Sequence, residues 1–138
     1  MVTDIPLIIL PNRLAICRLP AEAPLPDWIQ PGDIVSIVRT REELSVVCEE
    51  RYVPPEVKAE RGWRAIKVQG PLDFALIGLF ASLAIPLSDA GISLFAISTY
   101  DTDYILIREN KLGRAVEVLG LEGFPIQGPI ASMDAPTS

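Results

Sequence analysis

The feature that most constrains the fold is an apolar run over residues 74–87, which contains Pro86 in its last turn and is followed by Gly91. The run is shorter than the ~20 residues that a bilayer span requires, so it predicts a core helix. We predict this helix over residues 73–90, with Asp73 as N-cap and Gly91 as the C′ residue. Apolar side chains occupy nearly its whole circumference. One sheet face cannot cover them, and a second surface is expected.

Eight further segments combine β-branched and apolar residues between turn signals, which is typical of strands. A second helix is predicted over residues 110–119, with Asn110 as N-cap and one apolar face toward the core. A short helix is expected over residues 54–62, after the Pro54-Pro55 pair. The predicted strands are 5–10, 13–19, 34–40, 44–50, 64–69, 92–100, 103–108 and 124–127.

The order of elements over residues 64–127 is strand, helix, strand, strand, helix, strand, which is the ferredoxin-like βαββαβ arrangement. In the first half, four prolines between residues 20 and 31 disfavour a long helix and leave a turn near residues 27–29. We therefore predict an α+β protein of two ferredoxin-like βαββαβ units, the first degenerate. The predicted divisions are 1–61, 62–128 and a flexible tail at 129–138. One sheet of eight strands and two sheets of four both remain open, as does the place of strand 5–10.

A weak internal repeat aligns residues 35–47 with residues 95–107, at an offset of 60. Both segments have the pattern of a strand, a short polar turn and a strand. Two unrelated hairpins would share part of this pattern, and that alternative stays open.

Composition excludes several classes of function. The net charge of −6 and the scattered basic residues argue against nucleic-acid binding. The sequence contains no histidine, which excludes His-based catalysis. Cys17 and Cys48 lie in apolar runs and are expected to be buried, reduced thiols. No signal peptide, phosphate loop or EF-hand spacing is present, so we expect a cytoplasmic protein without cofactor or metal.

Residues 62–109 resemble an ACT domain. The resemblance rests on Gly62-Trp63, on residues 68–74, on the helix exit over residues 90–93 and on residues 97–106. In particular, the segment is similar to bacterial tandem ACT proteins related to aspartate-kinase regulatory regions and to the cytosolic arginine sensors called CASTOR. The resemblance implies a non-enzymatic, ligand-sensing regulatory module that binds a free amino acid between ACT units, near the turn from first strand to first helix. It also implies a homodimer and a regulated protein partner of unknown identity.

The expected ligand site combines helix-terminal amides with a nearby carboxylate. Amides at a helix N-terminus suit an α-carboxylate. Asp103 is preferred over Asp73 for the α-ammonium, because a capping Asp73 would compete with the ligand for the same amides. Two alternatives stay open: Asp101 and Asp103 only shape a hairpin turn, or the protein is a structural or interaction module that has lost ligand binding. The candidate ligand-binding residues are Gly70, Pro71, Leu72, Asp73, Phe74, Ile97, Ser98, Thr99, Thr102 and Asp103.

Overall fold

The computed structural model describes residues 2–70 and 78–133, and it joins eight strands into one mixed sheet. All eight predicted strands are confirmed, seven with shifted ends and strand 103–108 with the predicted ones, and so is the α+β class. Two α-helices accompany them, α1 (Leu79–Asp89) and α2 (Leu112–Leu121). The strands are β1 (Leu7–Ile9), β2 (Leu14–Leu19), β3 (Ser36–Arg39), β4 (Leu44–Glu49), β5 (Ala59–Val68), β6 (Leu94–Ser98), β7 (Asp103–Arg108) and β8 (Ile126–Gln127).

The central strand is β5, which pairs with three others. Its first half pairs with β2 and its second half with β1, both along one edge, while the opposite edge pairs with β7. Beyond β2 lie β4 and then β3. Strand β8 lies beyond β1, and β6 lies beyond β7. The described strands therefore form one sheet of eight, which decides between the two arrangements that the sequence left open. The N-terminal strand β1 lies in the second half of this sheet, antiparallel to β5 and parallel to β8.

The segment before Gly62 is a strand, so the predicted helix over residues 54–62 is wrong. Only a turn forms at Pro54, whose carbonyl accepts the amide of Val57. From Ala59 onward, pairing with β2 satisfies the backbone in an extended conformation. The predicted boundary between residues 61 and 62 falls inside β5, and that division of the chain stays a prediction.

The start of α1 differs from the prediction. Gly78 is its N-cap with a φ of 87°, a left-handed conformation that no α-helical residue adopts. A continuous helix from Asp73 is therefore wrong, and residues 71–77 lie outside the described residues. The predicted end at Gly91 is confirmed, because the amides of Gly91 and Ile92 bond back to the carbonyls of Ser88 and Leu87, both at 2.9 Å.

The second helix also starts later than predicted. It begins at Leu112, and Asn110 lies in the turn of 3₁₀ helix Glu109–Lys111 that precedes it. Asn110 is consequently not the N-cap. At the other end, Gly123 and Phe124 form the same backbone-bonded termination as α1.

The sheet has two distinct faces. On the helix face, Ile66, Val68 and Ile105 pack with the buried leucines of α1 and α2. The other face, called here the open face, holds the cluster around Trp63 and Leu106, to which no residue of either helix belongs. A third cluster contains Cys17 and Cys48, which are buried and free, as predicted.

The two predicted repeat segments are both hairpins with four-residue loops. The amides of Thr40 and Thr99 donate to the carbonyls of Glu43 and Thr102, at 2.9 and 2.8 Å. These equivalent bonds place the repeat at an offset of 59 (residue 40 to residue 99), so the predicted offset of 60 is wrong by one. The equivalent hydrogen bonds in the two turns, more than the apolar pattern, define how the two hairpins align with each other.

The buried side chain of Arg64 holds the end of the described chain. Its guanidinium donates to the carbonyls of Leu10, Pro129 and Ile130. Pro129 and Ile130, which the sequence assigns to the tail, are thus bound to a strand of the sheet. No helix in the described ranges has the length and apolarity to cross a membrane.

Candidate functional site

A depression of about 230 Å³ lies where β5 ends and the β6–β7 hairpin turns. Three predicted site residues, Gly70, Thr99 and Thr102, line it. Three further polar residues, which were not among the predicted site residues, also line it. These are Lys67, Asp101 and Tyr104.

The hairpin tip beside the depression is held by its own hydrogen bonds. The Thr99 hydroxyl donates to the Thr102 carbonyl at 3.1 Å and accepts from the Thr102 amide at 3.3 Å. The hydroxyl of Thr102 donates to the Val68 carbonyl, which ties the tip to the end of β5. A Cβ atom on Gly70 would lie 2.8 Å from the Asp101 carbonyl oxygen, so the two segments approach closely only because residue 70 is glycine.

Strand pairing aligns Lys67, Tyr104 and Ile97 in one row. Lys67 pairs with Tyr104, and Tyr104 pairs with Ile97, across β5, β7 and β6. Tyr104 and Ile97 pack against the open-face cluster, so the row lies on the open face. Ile97 is therefore next to the depression without lining it. The sequence alone carried no signal for this row, because it depends on pairing between distant strands.

Ser98 and Asp103 lie on the opposite face. They pair with each other, and Asp103 shares the face of Ile105, which packs under the helices. The Ser98 hydroxyl donates to the Asp103 carboxylate at 2.6 Å. The structure therefore separates the predicted ammonium contact from the depression. The remaining candidates, Pro71, Leu72, Asp73 and Phe74, lie outside the described residues.

A second concavity, of about 510 Å³, follows the outer side of α1. Phe80, Ala84 and Ser88 form its helical wall, and residues 91–94 form the other. None of these residues is charged. The candidate list missed this groove, although residues 90–93 belong to the segments that resemble an ACT domain.

The buried pair Cys17 and Cys48 lies away from both concavities. The hydrogen bond with Cys17, followed by burial, raises the pKa of Cys48. Within the described parts of the chain, no three His, Cys, Asp or Glu residues group as metal ligands. The depression instead offers an ammonium, a carboxylate and hydroxyl groups, which suit a small polar ligand.

Comparison with known proteins now adds to this geometry. A family model described as an ACT domain matches residues 58–120, the stretch from the start of β5 to α2. This matched segment, slightly less than half of the chain, is similar to ACT domains. The predicted resemblance is thereby confirmed, together with the ferredoxin-like architecture. A second model, for an N-terminal domain whose description states no function, matches residues 12–56.

The relatives of this chain include a human protein named "Cytosolic arginine sensor for mTORC1 subunit 1". The two are 41% identical over 58 residues, which are 41% of this chain and 18% of the human protein. The chain therefore matches less than a fifth of that relative.

Two solved structures share the fold. Protein Atu0741 from Agobacterium tumefaciens is 38% identical with a TM-score of 0.86, and the match covers 91% of this chain and 94% of that one. The ligand-free regulatory subunit of aspartate kinase from Thermus thermophilus is 9% identical with a TM-score of 0.56, and the match covers 84% and 96%. The second likeness shows the fold alone.

Proposed function

We propose that this chain is a non-enzymatic regulatory module that senses a free amino acid. The observation that carries the proposal is that the ACT match, residues 58–120, contains a small depression with both a cation and an anion in its wall. The name of the human relative supports an amino acid as ligand and makes arginine the first one to test. The word "cytosolic" in that name supports a cytoplasmic location.

The proposed ligand lies near the strand-to-helix turn, beside Gly70. A second ACT unit supplies the facing wall, so that ligand occupancy changes how two units contact each other and, through them, a regulated partner. A volume of about 230 Å³ is below the ~300–1,000 Å³ of pockets that enclose drug-sized ligands. The depression therefore suits part of an amino acid, with the rest held by the facing unit.

The proposed assembly is a homodimer that covers the outer side of α1. Phe80, which lines the groove, and Ile85, which lies farther round the helix beside Thr3 and Glu122, are 46% and 58% exposed. The second surface expected for the helix is therefore not supplied by the described part of the chain. Strand β6 pairs with β7 alone among the described strands, which leaves its other edge open beside the groove. An open strand edge and an apolar helix side are surfaces that a second copy satisfies.

A thermal unfolding panel of the twenty amino acids tests the function. A ligand present at 100 times its Kd stabilises the folded state by about 2.7 kcal/mol, which raises Tm by roughly 10 °C for a chain of this size. A Tm that no amino acid raises at millimolar concentration would rule out the sensing role.

One observation favours a second candidate, a structural or interaction module without a ligand. Thr99, Thr102 and Gly70 each have a structural role at the hairpin tip, so their presence does not require a ligand. This alternative predicts a stable oligomer whose Tm is the same with and without every amino acid in the panel.

A further inference from the structure

We propose that the depression beside Gly70 reads the charged head group of an α-amino acid, with Lys67 contacting the α-carboxylate and Asp101 the α-ammonium. This inference rests on the proposed function and assigns the recognition to residues outside the family-based candidate list. Its basis is that two residues of opposite charge, Lys67 and Asp101, line the same depression without forming an ion pair in the described structure.

The cation of the site is Lys67. It is half-buried on the open face of β5, directly opposite Tyr104. A lysine in this setting lays its alkyl stem along apolar neighbours and presents the ammonium at the surface. Among residues 2–70 and 78–133, no carboxylate lies within ion-pair distance of it. A ligand carboxylate would supply the missing counter-charge.

The anion of the site is Asp101, the third residue of the hairpin tip. Its backbone is fixed by the close approach of Gly70 and by the hydrogen bonds of Thr99 and Thr102 on either side. A fixed backbone limits the positions that the Asp101 carboxylate can take before a ligand arrives, which reduces the entropy lost on binding.

The separation of the two charges indicates the class of ligand. Lys67 and Asp101 line the same depression, yet within the described structure they form no ion pair with each other. Two opposite charges with a gap between them match the adjacent ammonium and carboxylate of a zwitterion. Charge-assisted hydrogen bonds at both ends are stronger than neutral ones, and they would orient the head group.

The aromatic floor of the site is the ring of Tyr104. This ring packs partly buried on the open-face cluster, and Ile97 lies beside it on β6, outside the depression. The ligand's Cα and the first part of its side chain would rest on this floor. The limited volume excludes a nucleotide-sized ligand and leaves room for a head group with a short side chain.

Titration calorimetry with modified ligands tests the assignment. The amino acid with the largest Tm shift is compared with its carboxamide and its N-acetyl derivative. We expect each modification to weaken binding to the wild-type chain by roughly 10- to 100-fold, as for loss of a hydrogen bond to a charged group. Lys67→Met should abolish the preference for acid over carboxamide, and Asp101→Asn the preference for free over acetylated amine.

The matched control is Asp103→Asn, on the helix face of the same hairpin, which should bind as the wild type does. The head-group assignment would be overturned if Lys67→Met and Asp101→Asn bind all three ligand forms as the wild type does. It would also be overturned if the wild type binds the three forms with equal affinity. In both cases the proposed function stands. Absence of any amino-acid binding to the wild type would overturn both. If a variant fails to fold, the affinities of the three ligand forms for the wild-type protein still test the assignment.

Discussion

At the scale of single residues, Gly70 shows how closely the end of β5 and the hairpin tip approach. A Cβ atom there would meet the Asp101 carbonyl oxygen at 2.8 Å and the Thr102 Cβ at 3.0 Å. Backbone cannot move aside as a flexible side chain can. The Thr102 hydroxyl, bonded to the Val68 carbonyl, further limits any shift of the tip.

We therefore expect Gly70→Ala to lower the free energy of unfolding by about 1–3 kcal/mol, as overpacked sites do. Urea unfolding followed by circular dichroism measures this. Gly113→Ala is the control, because among the described residues beyond its own helix turn no heavy atom lies within 4 Å of a Cβ at that position. Alanine there should stabilise α2 by up to about 1 kcal/mol. Equal stability of Gly70→Ala and wild type would show that the tip is free to shift.

At the scale of elements, α1 combines a well-buried side with an exposed apolar one. Leu79, Leu83 and Leu87 repeat every four residues and face the core. Phe80 and Ile85 face outward. The sequence predicted a second covering surface for this helix, and the described part of the chain leaves that side open.

If a second copy covers α1, Ile85→Lys should convert a dimer into a monomer without unfolding it, because a charge would be buried in an apolar contact. Light scattering coupled to size-exclusion chromatography measures the mass. The control is Leu121→Lys, which adds the same charge at an exposed leucine of α2 and should stay dimeric. A monomeric wild type, or a dimeric Ile85→Lys, would contradict the proposed interface.

At the scale of the whole molecule, the two halves of the chain are interleaved through β1. This strand precedes both matched segments, yet it lies between β5 and β8. Its residues Leu7 and Ile9 belong to the same core cluster as α1 and α2. The second half of the chain therefore depends on the N-terminal strand for its core.

Truncating Leu7 tests this dependence. Leu7→Ala should cost about 2–5 kcal/mol of unfolding free energy, since Leu7 is fully buried against the helix side of the core. Denaturant unfolding should keep a single transition. The exposed Leu25→Ala is the comparison and should change stability by less than about 0.5 kcal/mol. A loss below about 1 kcal/mol for Leu7→Ala would mean that β1 contributes little to the core.

Local features were readable from the sequence alone. Strand β7 has the predicted ends, Gly91 ends α1 as expected, and the cysteines are buried, because periodicity, turn chemistry and helix termination act over a few neighbouring residues. The ACT resemblance of residues 62–109 was also present in the sequence. The start of α1 at Gly78 was not recognised, because a glycine inside an apolar run gives a weak signal.

Only the tertiary structure decided which distant segments meet. The position of β1, the row of Lys67, Tyr104 and Ile97, and the placement of Asp103 on the helix face all follow from strand pairing over long sequence separations. A shift of one residue in such pairing exchanges the two faces of a strand. For this reason the sequence predicted the region of the candidate site, while the contribution of Lys67 and Asp101 to its wall emerged only from the fold.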